Sequence, residues 1–481
     1  MSADDLAETT TAWTDQWWDP DVGLIWMPPD PPPDASGSEV PVPGLHLLPQ
    51  TAWYAAGLLR RDDRGDHERA VAALGTILDH QYDAPGEVWH GTFTLVHESR
   101  EPRPGARIWV DYDPNWRQFI GCTLLLVLRH FDTALPRDLV ERIDRALRLV
   151  VEGEPDRRIS DGYSNIALMH SYVEVEAGLR LDQPAWIEAG EARAGRVSKR
   201  FDRFGAFEEY NSPTYYGIDL LALGLWSRHS SSPTLTSAGA RLEAAVWQDS
   251  VRWYHAGLAN VAGPYTRSYG MDLHRYVAAW GLWVWAALGR ERAPVPALDG
   301  PLEHGMDLTL GPMIALIGAD LPIGAQVHLE AFQGERIVRQ RISNAEHGDR
   351  TATAWLGSDV MLGAERNTID LSWWDQFHPA TAHWRRDDGS VGWLQARVPG
   401  VSDTTVEPGR LTIRWHHDED PDAEGDVMAR FLLDRPAAED ALGPLQLTST
   451  GPPPGFDGTS LTARPGTGSE TTFTVEVAAG R

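Results

Sequence analysis

The chain has a single cysteine, Cys122, so no intramolecular disulfide can form. Within G-C-T-L-L-L-V-L this thiol reads as core and not as a nucleophile. Lysine is as scarce: Lys199 stands alone, and every other basic residue is an arginine apart from the histidines. Arginine is thus almost the sole cation for recognising carboxylates, a task that its planar fork suits. Basic charge as a whole is short, with 42 Lys and Arg against 69 Asp and Glu and a formal net charge of −27. That deficit excludes general nucleic-acid or anionic-membrane binding, which needs a basic face. No apolar run is long enough to span a membrane. The start, M-S-A-D-D-L-A-E-T-T, lacks the basic and apolar stretches of a secretory signal, and a cytoplasmic location is expected.

Tryptophan is abundant, with 21 copies in 481 residues. Indole faces stack on sugar rings, so carbohydrate is the first ligand class to consider, although most of these rings are expected in the core. The length calls for two or three domains. An amphipathic segment, Leu6–Trp18, is followed by the proline-rich M-P-P-D-P-P-P-D, which is neither helix nor strand. Helical patterns then run over 49–62, 66–81, 115–133, 136–152, 161–181, 184–201, 213–228, 235–258 and 272–289. Pairs begin near 115, 163, 213 and 272, about fifty residues apart, as in a repeat of helical hairpins. A complete or incomplete (α/α)6 toroid over 1–300 is expected, because the loops between hairpins carry the tyrosines, asparagines and arginines. After Ala293-Pro294-Val295-Pro296 the period changes. Leu411-Thr412-Ile413-Arg414-Trp415 and Phe473-Thr474-Val475-Glu476-Val477 alternate, so 301–481 is expected to form an antiparallel β-sandwich from about 305 onward. The stretch P-P-P-G-F-D-G-T-S reads as loop.

Four helix entrances gather groups that are costly to bury without partners. Asp113-Pro114-Asn115-Trp116-Arg117 opens one helix, where free N–H groups favour an anion. Gly162-Tyr163-Ser164-Asn165 opens the next, with His170 five residues further along. In F-G-A-F-E-E-Y-N-S-P-T-Y-Y-G, Ser212 and Pro213 make a strong helix start, preceded by Glu208, Glu209, Tyr210 and Asn211 and followed by Tyr215 and Tyr216. Tyr215, Ile218, Leu221 and Leu225 then recur as one apolar face. The fourth entrance, G-P-Y-T-R-S-Y-G-M-D, brings Arg267, Tyr269 and Asp272. In the β half, His347 and Arg350 in N-A-E-H-G-D-R are expected to form an outer wall of the same cleft. His378 and His383 with Asp349 match no tight zinc spacing, so no cofactor is expected and a structural metal is only the minor alternative.

Helical hairpins followed by a sandwich, Asn115-Trp116 at one helix start and F-E-E-Y-N-S-P-T-Y-Y-G at another resemble the heparinase II/III and chondroitin AC-type polysaccharide lyases. The resemblance implies a catalytic tyrosine at Tyr215 or Tyr216, assisted by Tyr269 or His170, and β-elimination on a uronate-containing glycan. Asn115, Trp116, Asn165, Asn211 and Arg267 would bind substrate, with the tyrosine's pKa lowered by a nearby arginine. One departure stands out: those lyases have a histidine near the tyrosine motif, whereas Tyr210 and Asn211 occupy that loop here. The alternative is a glycoside hydrolase working through Glu208 or Glu209 with Asp272, and Asp219 as a lesser candidate. A non-catalytic carbohydrate-binding protein has no use for the clustered Tyr, Asn and Arg.

Overall fold

The computed structural model describes residues 2–28, 44–155, 158–344, 348–366, 376–400, 402–417, 428–435 and 441–478. Its helices are α1 (Ser2–Asp15), α2 (Leu48–Arg61), α3 (Asp66–Asp79), α4 (Trp116–Phe131), α5 (Arg137–Glu152), α6 (Ser164–Arg180), α7 (Pro184–Phe204), α8 (Pro213–Gly224), α9 (Pro233–Trp253), α10 (Ala279–Leu288), α11 (Gly311–Ile317) and α12 (Ile323–Glu330). Helices α2, α4, α6, α8 and α10 each pack on the next, and α1 touches both α10 and α2, closing the circuit. Outside it, α3, α5, α7 and α9 lie each against its own hairpin partner.

The sequence assigns these two layers. Helix α5 buries Leu139, Ile143, Ala146, Leu147 and Val150, a single stripe as an outer helix should. Helix α10, A-W-G-L-W-V-W-A-A-L, is apolar all round and buries Trp280, Trp283 and Trp285 completely. Helix α8 is likewise buried on almost every side, so the one-sided apolar face expected for it does not exist. Its start is as expected: Ser212 Oγ accepts the Tyr215 N–H at 3.2 Å, with Pro213 in the first turn. Helices α8 and α10 cross at Gly217, where a Cβ would stand 2.4 Å from the backbone of Ala279 and Trp280. Gly217→Ala is therefore expected to destabilise by roughly 1–3 kcal/mol through overpacking. Thermal melting checks this, and an unchanged midpoint would show that the crossing can yield.

Two stretches differ from the expected pattern. Residues 272–278 are not helical, and α10 begins only at Ala279. Their backbone groups are bonded elsewhere: Leu273 N–H donates to Asn260 Oδ1 at 2.8 Å, and Val277 N–H to the Glu303 carbonyl at 2.9 Å. Residues 305–330 are largely helical where strands were expected, because α11 packs on α1 and α2. Short strands also occur at Trp18–Asp19, Leu24–Met27 and Leu45–Leu47, at Tyr254–His255 with Asn260–Val261, and at Gly455–Phe456 within the presumed loop.

From Arg336 onward the described residues form an eight-stranded and a four-stranded antiparallel sheet. Leu362, Ala382, Leu394 and Phe431 of the first share a core with Leu411, Ile413, Phe473 and Val475 of the second, as the alternation predicted. The other face of the larger sheet supplies Val338, Ile342, Ala354 and Met361 to the core of the helical region. That contact brings the sheet beside the loop that carries Arg267.

Candidate functional site

The N-terminal ends of α4, α6 and α8 are tied together by side-chain hydrogen bonds. Asn115 Nδ2, just ahead of α4, donates to the Tyr163 hydroxyl at 3.0 Å, and Arg158 donates to Asn115 Oδ1 at 3.0 Å. The two contacts fix the amide's orientation. Asp113 Oδ1 accepts the Asn115 N–H at 2.8 Å, while burial pushes this carboxyl up to about 6. Burial also pushes the Tyr163 phenol up to about 12, with the negative charge of Glu209 adding to the shift.

Glu209 is the hub. Its Oε2 accepts from Ser164 Oγ at 2.9 Å and from Asn165 Nδ2 at 2.6 Å, and its Oε1 accepts from Arg267 at 2.9 Å. Arg267 also donates to Gln376 Oε1 at 3.1 Å, a partner from the β half. The same guanidinium lies 3.7 Å from the centre of the Tyr215 ring, a close cation–π contact. The hydroxyls of Tyr215 and Tyr269 are 2.8 Å apart. Beyond them, Tyr269 stacks on His304 with centroids 4.3 Å apart, and His304 Nδ1 is 3.2 Å from Asp307. Burial, and then the neighbouring Tyr269, raise the Tyr215 phenol well above its usual value despite the arginine. The expected lowering by arginine is thus corrected: the cation is present, but loss of water outweighs it.

The remaining candidates lie apart from this run. The Tyr216 hydroxyl donates to Asp249 on α9, and the ring is buried. His170 sits inside α6 between Gln118 Nε2 at 3.2 Å and Glu174 at 3.4 Å. The Trp116 indole donates to the Leu95 carbonyl at 3.1 Å. Asn211 takes a positive φ of 44°, which asparagine tolerates, and its amide donates to the carbonyls of Ala262 and Pro264, both at 2.7 Å. It clasps the loop leading to Arg267 rather than facing a ligand. Asp272 accepts from Asn260 at 3.0 Å and pairs with His274 at 2.9 Å; burial raises its carboxyl, but these partners bring it below its ordinary value. Glu208 pairs with Arg200. Asp219 is fully buried on α8, and desolvation, then Glu209, push it far above the carboxylate range.

In the β half, Arg350 bonds Glu365 at 3.0 Å, and Tyr210 donates to the same carboxylate, a buried trio behind the α7–α8 loop. His347 lies outside the described residues. His378 and His383 donate through Nε2 to the carbonyls of Ser268 at 3.1 Å and Met271 at 2.8 Å, bracing the Arg267 loop. Asp349 pairs with Arg341. Among the described residues, no three His, Cys, Asp or Glu side chains are grouped as metal ligands.

A family model described as Domain of unknown function (DUF8769) matches residues 4–319, well over half of the chain. The chain belongs to this family. A second model, Domain of unknown function (DUF8770), matches residues 334–437. A search of curated proteins finds no match. Among solved structures, the chain is similar to a tyrosine-to-alanine mutant of chondroitin AC lyase from Streptomyces coelicolor A3. That match has 13% identity and a TM-score of 0.41, covering 100% of this chain and 80% of the other. A heparan sulfate lyase from Pedobacter heparinus matches at 9% identity and TM-score 0.36, over 90% of this chain and 74% of its own. A beta-arabinofuranosidase matches at 9% and 0.34, over 99% and 78%.

In this DUF8769 chain, Tyr163, Ser164, Arg158, Gln376 and His304 join the site without having been singled out for it. Tyr163 and Ser164 lie in a helix entrance already suspect from its sequence. The other three stand in stretches with no pattern, and only the fold brings them close.

Proposed function

We propose that the chain is an oligosaccharide lyase that cleaves a uronate-containing glycan by β-elimination, and that the circuit of helices is an incomplete (α/α) toroid with the site where α4, α6 and α8 begin. The observation that carries the reading is the Tyr215–Tyr269 hydroxyl pair, with Arg267 stacked on the Tyr215 ring. The proton α to a uronate carboxylate is very weakly acidic while that carboxylate is charged. Asn115 and Tyr163, backed by Arg158, supply donors to hold the carboxylate and the charge that develops on it. The two phenols act as one unit. One phenol oxygen takes the α proton while handing its own proton to its partner, as the C–H bond breaks, the C=C bond forms and the glycosidic C–O bond opens. A proton returned through the pair leaves with the departing sugar hydroxyl.

The hydrolase alternative needs one carboxyl that gives a proton and a second that acts as base or nucleophile. Both oxygens of Glu209 are taken by donors, Asp272 is held by Asn260 and His274, and Asp219 is sealed inside α8. These commitments favour elimination. The net charge of −27 repels long polyanions, so short oligosaccharides are the expected substrates, which suits a cytoplasmic enzyme completing a degradation begun elsewhere.

The test is incubation with oligosaccharides and polymers of hyaluronan, chondroitin, heparosan, alginate and polygalacturonate, beside neutral xylan and cellulose fragments, read by mass spectrometry. An unsaturated product, formed faster from a tetrasaccharide than from its polymer, is expected. A product heavier by one water would establish hydrolysis, and no turnover of any uronate would remove the reading.

A further inference from the structure

A chain of buried polar contacts leaves the site and runs between the helices. It starts at Asn115, whose Oδ1 accepts from Arg158 at 3.0 Å. Arg158 is anchored on Glu154, with one bond of 2.7 Å to Oε2. Gln118, fully buried on α4, donates through Nε2 to the same Glu154 oxygen at 3.0 Å and to His170 Nδ1 at 3.2 Å. The other ring nitrogen of His170 lies 3.4 Å from Glu174, which Arg193 of α7 pairs with at 3.2 Å. The chain thus links a side chain of the site to an outer helix through one buried imidazole.

The direction of each bond follows from the donor inventory. Burial raises the Glu154 carboxyl, but Arg158 outweighs it and holds the group below its ordinary value. Glu154 is therefore a carboxylate, which only accepts, and an amide nitrogen only donates. Gln118 must turn Nε2 toward Glu154, and His170 Nδ1 must accept. In this arrangement the imidazole is neutral, with its proton on Nε2 toward Glu174. A second proton would set N–H against N–H at Gln118. A half turn of the amide relieves that clash, but it gives Oε1 to His170 and takes a donor from Glu154. Arg158, 3.5 Å from Gln118 Oε1, then meets an amide N–H where it had met an acceptor. The charged groups around this chain are Glu174 on α6, Glu154 and Arg158 beyond α5, Arg117 on α4 and Arg193 on α7, while Asp219 on α8 couples to Glu209 instead.

We infer that His170 is a positioning residue for the Asn115 amide: its neutral form keeps Gln118, Glu154 and Arg158 in the arrangement that aims Asn115 at a uronate carboxylate, and its protonated form breaks that arrangement. Substrate is then held less tightly as the pH falls. His170 carries no proton of the reaction, since its ring partners are Gln118 and Glu174 rather than either tyrosine of the hydroxyl pair. The inference rests on the proposed lyase reading.

The test is the pH dependence of substrate binding between pH 5.5 and 8, using a tetrasaccharide of whichever uronate series the wild type cleaves. Kd is measured by titration calorimetry in a Tyr269→Phe background, which prevents turnover. With His170 present, Kd should rise about tenfold toward the acid end, the loss expected for one charge-assisted hydrogen bond. Asp113, pushed up to about 6, titrates in the same range, so each comparison is repeated with Asp113→Asn. His170→Asn keeps a carbonyl acceptor for Gln118 but cannot take a proton, and should reduce the rise to less than about twofold. Glu174→Gln removes the charge that favours the imidazolium and should move the rise to lower pH. If His170→Asn does not fold, Glu174→Gln decides alone. A Kd rise that the folded variants leave unchanged, or a Kd that does not depend on pH, overturns the inference and leaves the lyase reading intact. A wild type that turns over no uronate series removes both.

Discussion

Tyr215→Phe and Tyr269→Phe are each expected to lower kcat by about 10²–10⁴-fold with little change in substrate affinity, the loss associated with removing a proton carrier. The substitution is informative because of how Tyr215 is held. Arg267 contacts its ring rather than its hydroxyl, so a phenyl ring keeps the cation in place and only the proton-bearing oxygen is lost. Tyr216→Phe supplies the contrast. It removes the hydroxyl that donates to the buried Asp249 carboxylate and is expected to cost about 1–3 kcal/mol of stability. Its turnover, measured well below the melting temperature, should stay near wild type. If Tyr215→Phe retains near wild-type turnover while folded, and Tyr216→Phe does not, the assignment of the two neighbours is reversed. If neither tyrosine of the hydroxyl pair matters, phenol chemistry is excluded.

The Arg267–Glu209 pair carries the second large effect. Both side chains are mostly buried, and each has its remaining contacts arranged around the other. Arg267→Met leaves the Glu209 carboxylate with only the neutral donors of Ser164 and Asn165. The expected cost is about 3–5 kcal/mol, together with loss of activity as Tyr215 loses its cation. Glu209→Gln is not the mild change that an elimination with no carboxylate acting in it would suggest. It takes the carboxylate charge away from a buried guanidinium. The double variant should be less destabilised than the sum of the two singles, since neither charge is then left alone. Denaturant unfolding of all four proteins measures that coupling, and strict additivity would show that the pair is not a unit.

Local signals were legible in the sequence, and long-range commitments were not. The Ser212–Pro213 cap, the helical pattern over 136–152 and the alternation in Phe473–Val477 depend on residues close in the chain, and each has the structure it predicted. Residues 272–278 carry a helical pattern, but distant partners at Asn260 and Glu303 take their backbone groups. The same limit applies to the site. Helix α8 is buried nearly all round, so no polar face distinguishes Tyr215, which meets Arg267, from Tyr216, which meets Asp249. Glu209, Asn165 and Arg267 were all candidates, but nothing in their spacing says that they bind one another before they bind a ligand. Gln376 lies more than a hundred positions from Arg267 and could be found only in three dimensions.

The loop that carries Arg267 is stitched to the larger sheet. Tyr265 and His378 exchange two backbone hydrogen bonds of 3.0 Å, Ser268 N–H donates to the Gln376 carbonyl at 2.9 Å, and the imidazoles of His378 and His383 hold the carbonyls of Ser268 and Met271. The β half thereby acts as the mechanical ground for the arginine. Any sliding of the sheet past the helices is transmitted through these bonds to the main chain on both sides of Arg267. Separating the halves would carry Tyr269 away with Arg267, because it lies on the same loop between Ser268 and Met271, and would break the cation contact and the hydroxyl pair with Tyr215 together.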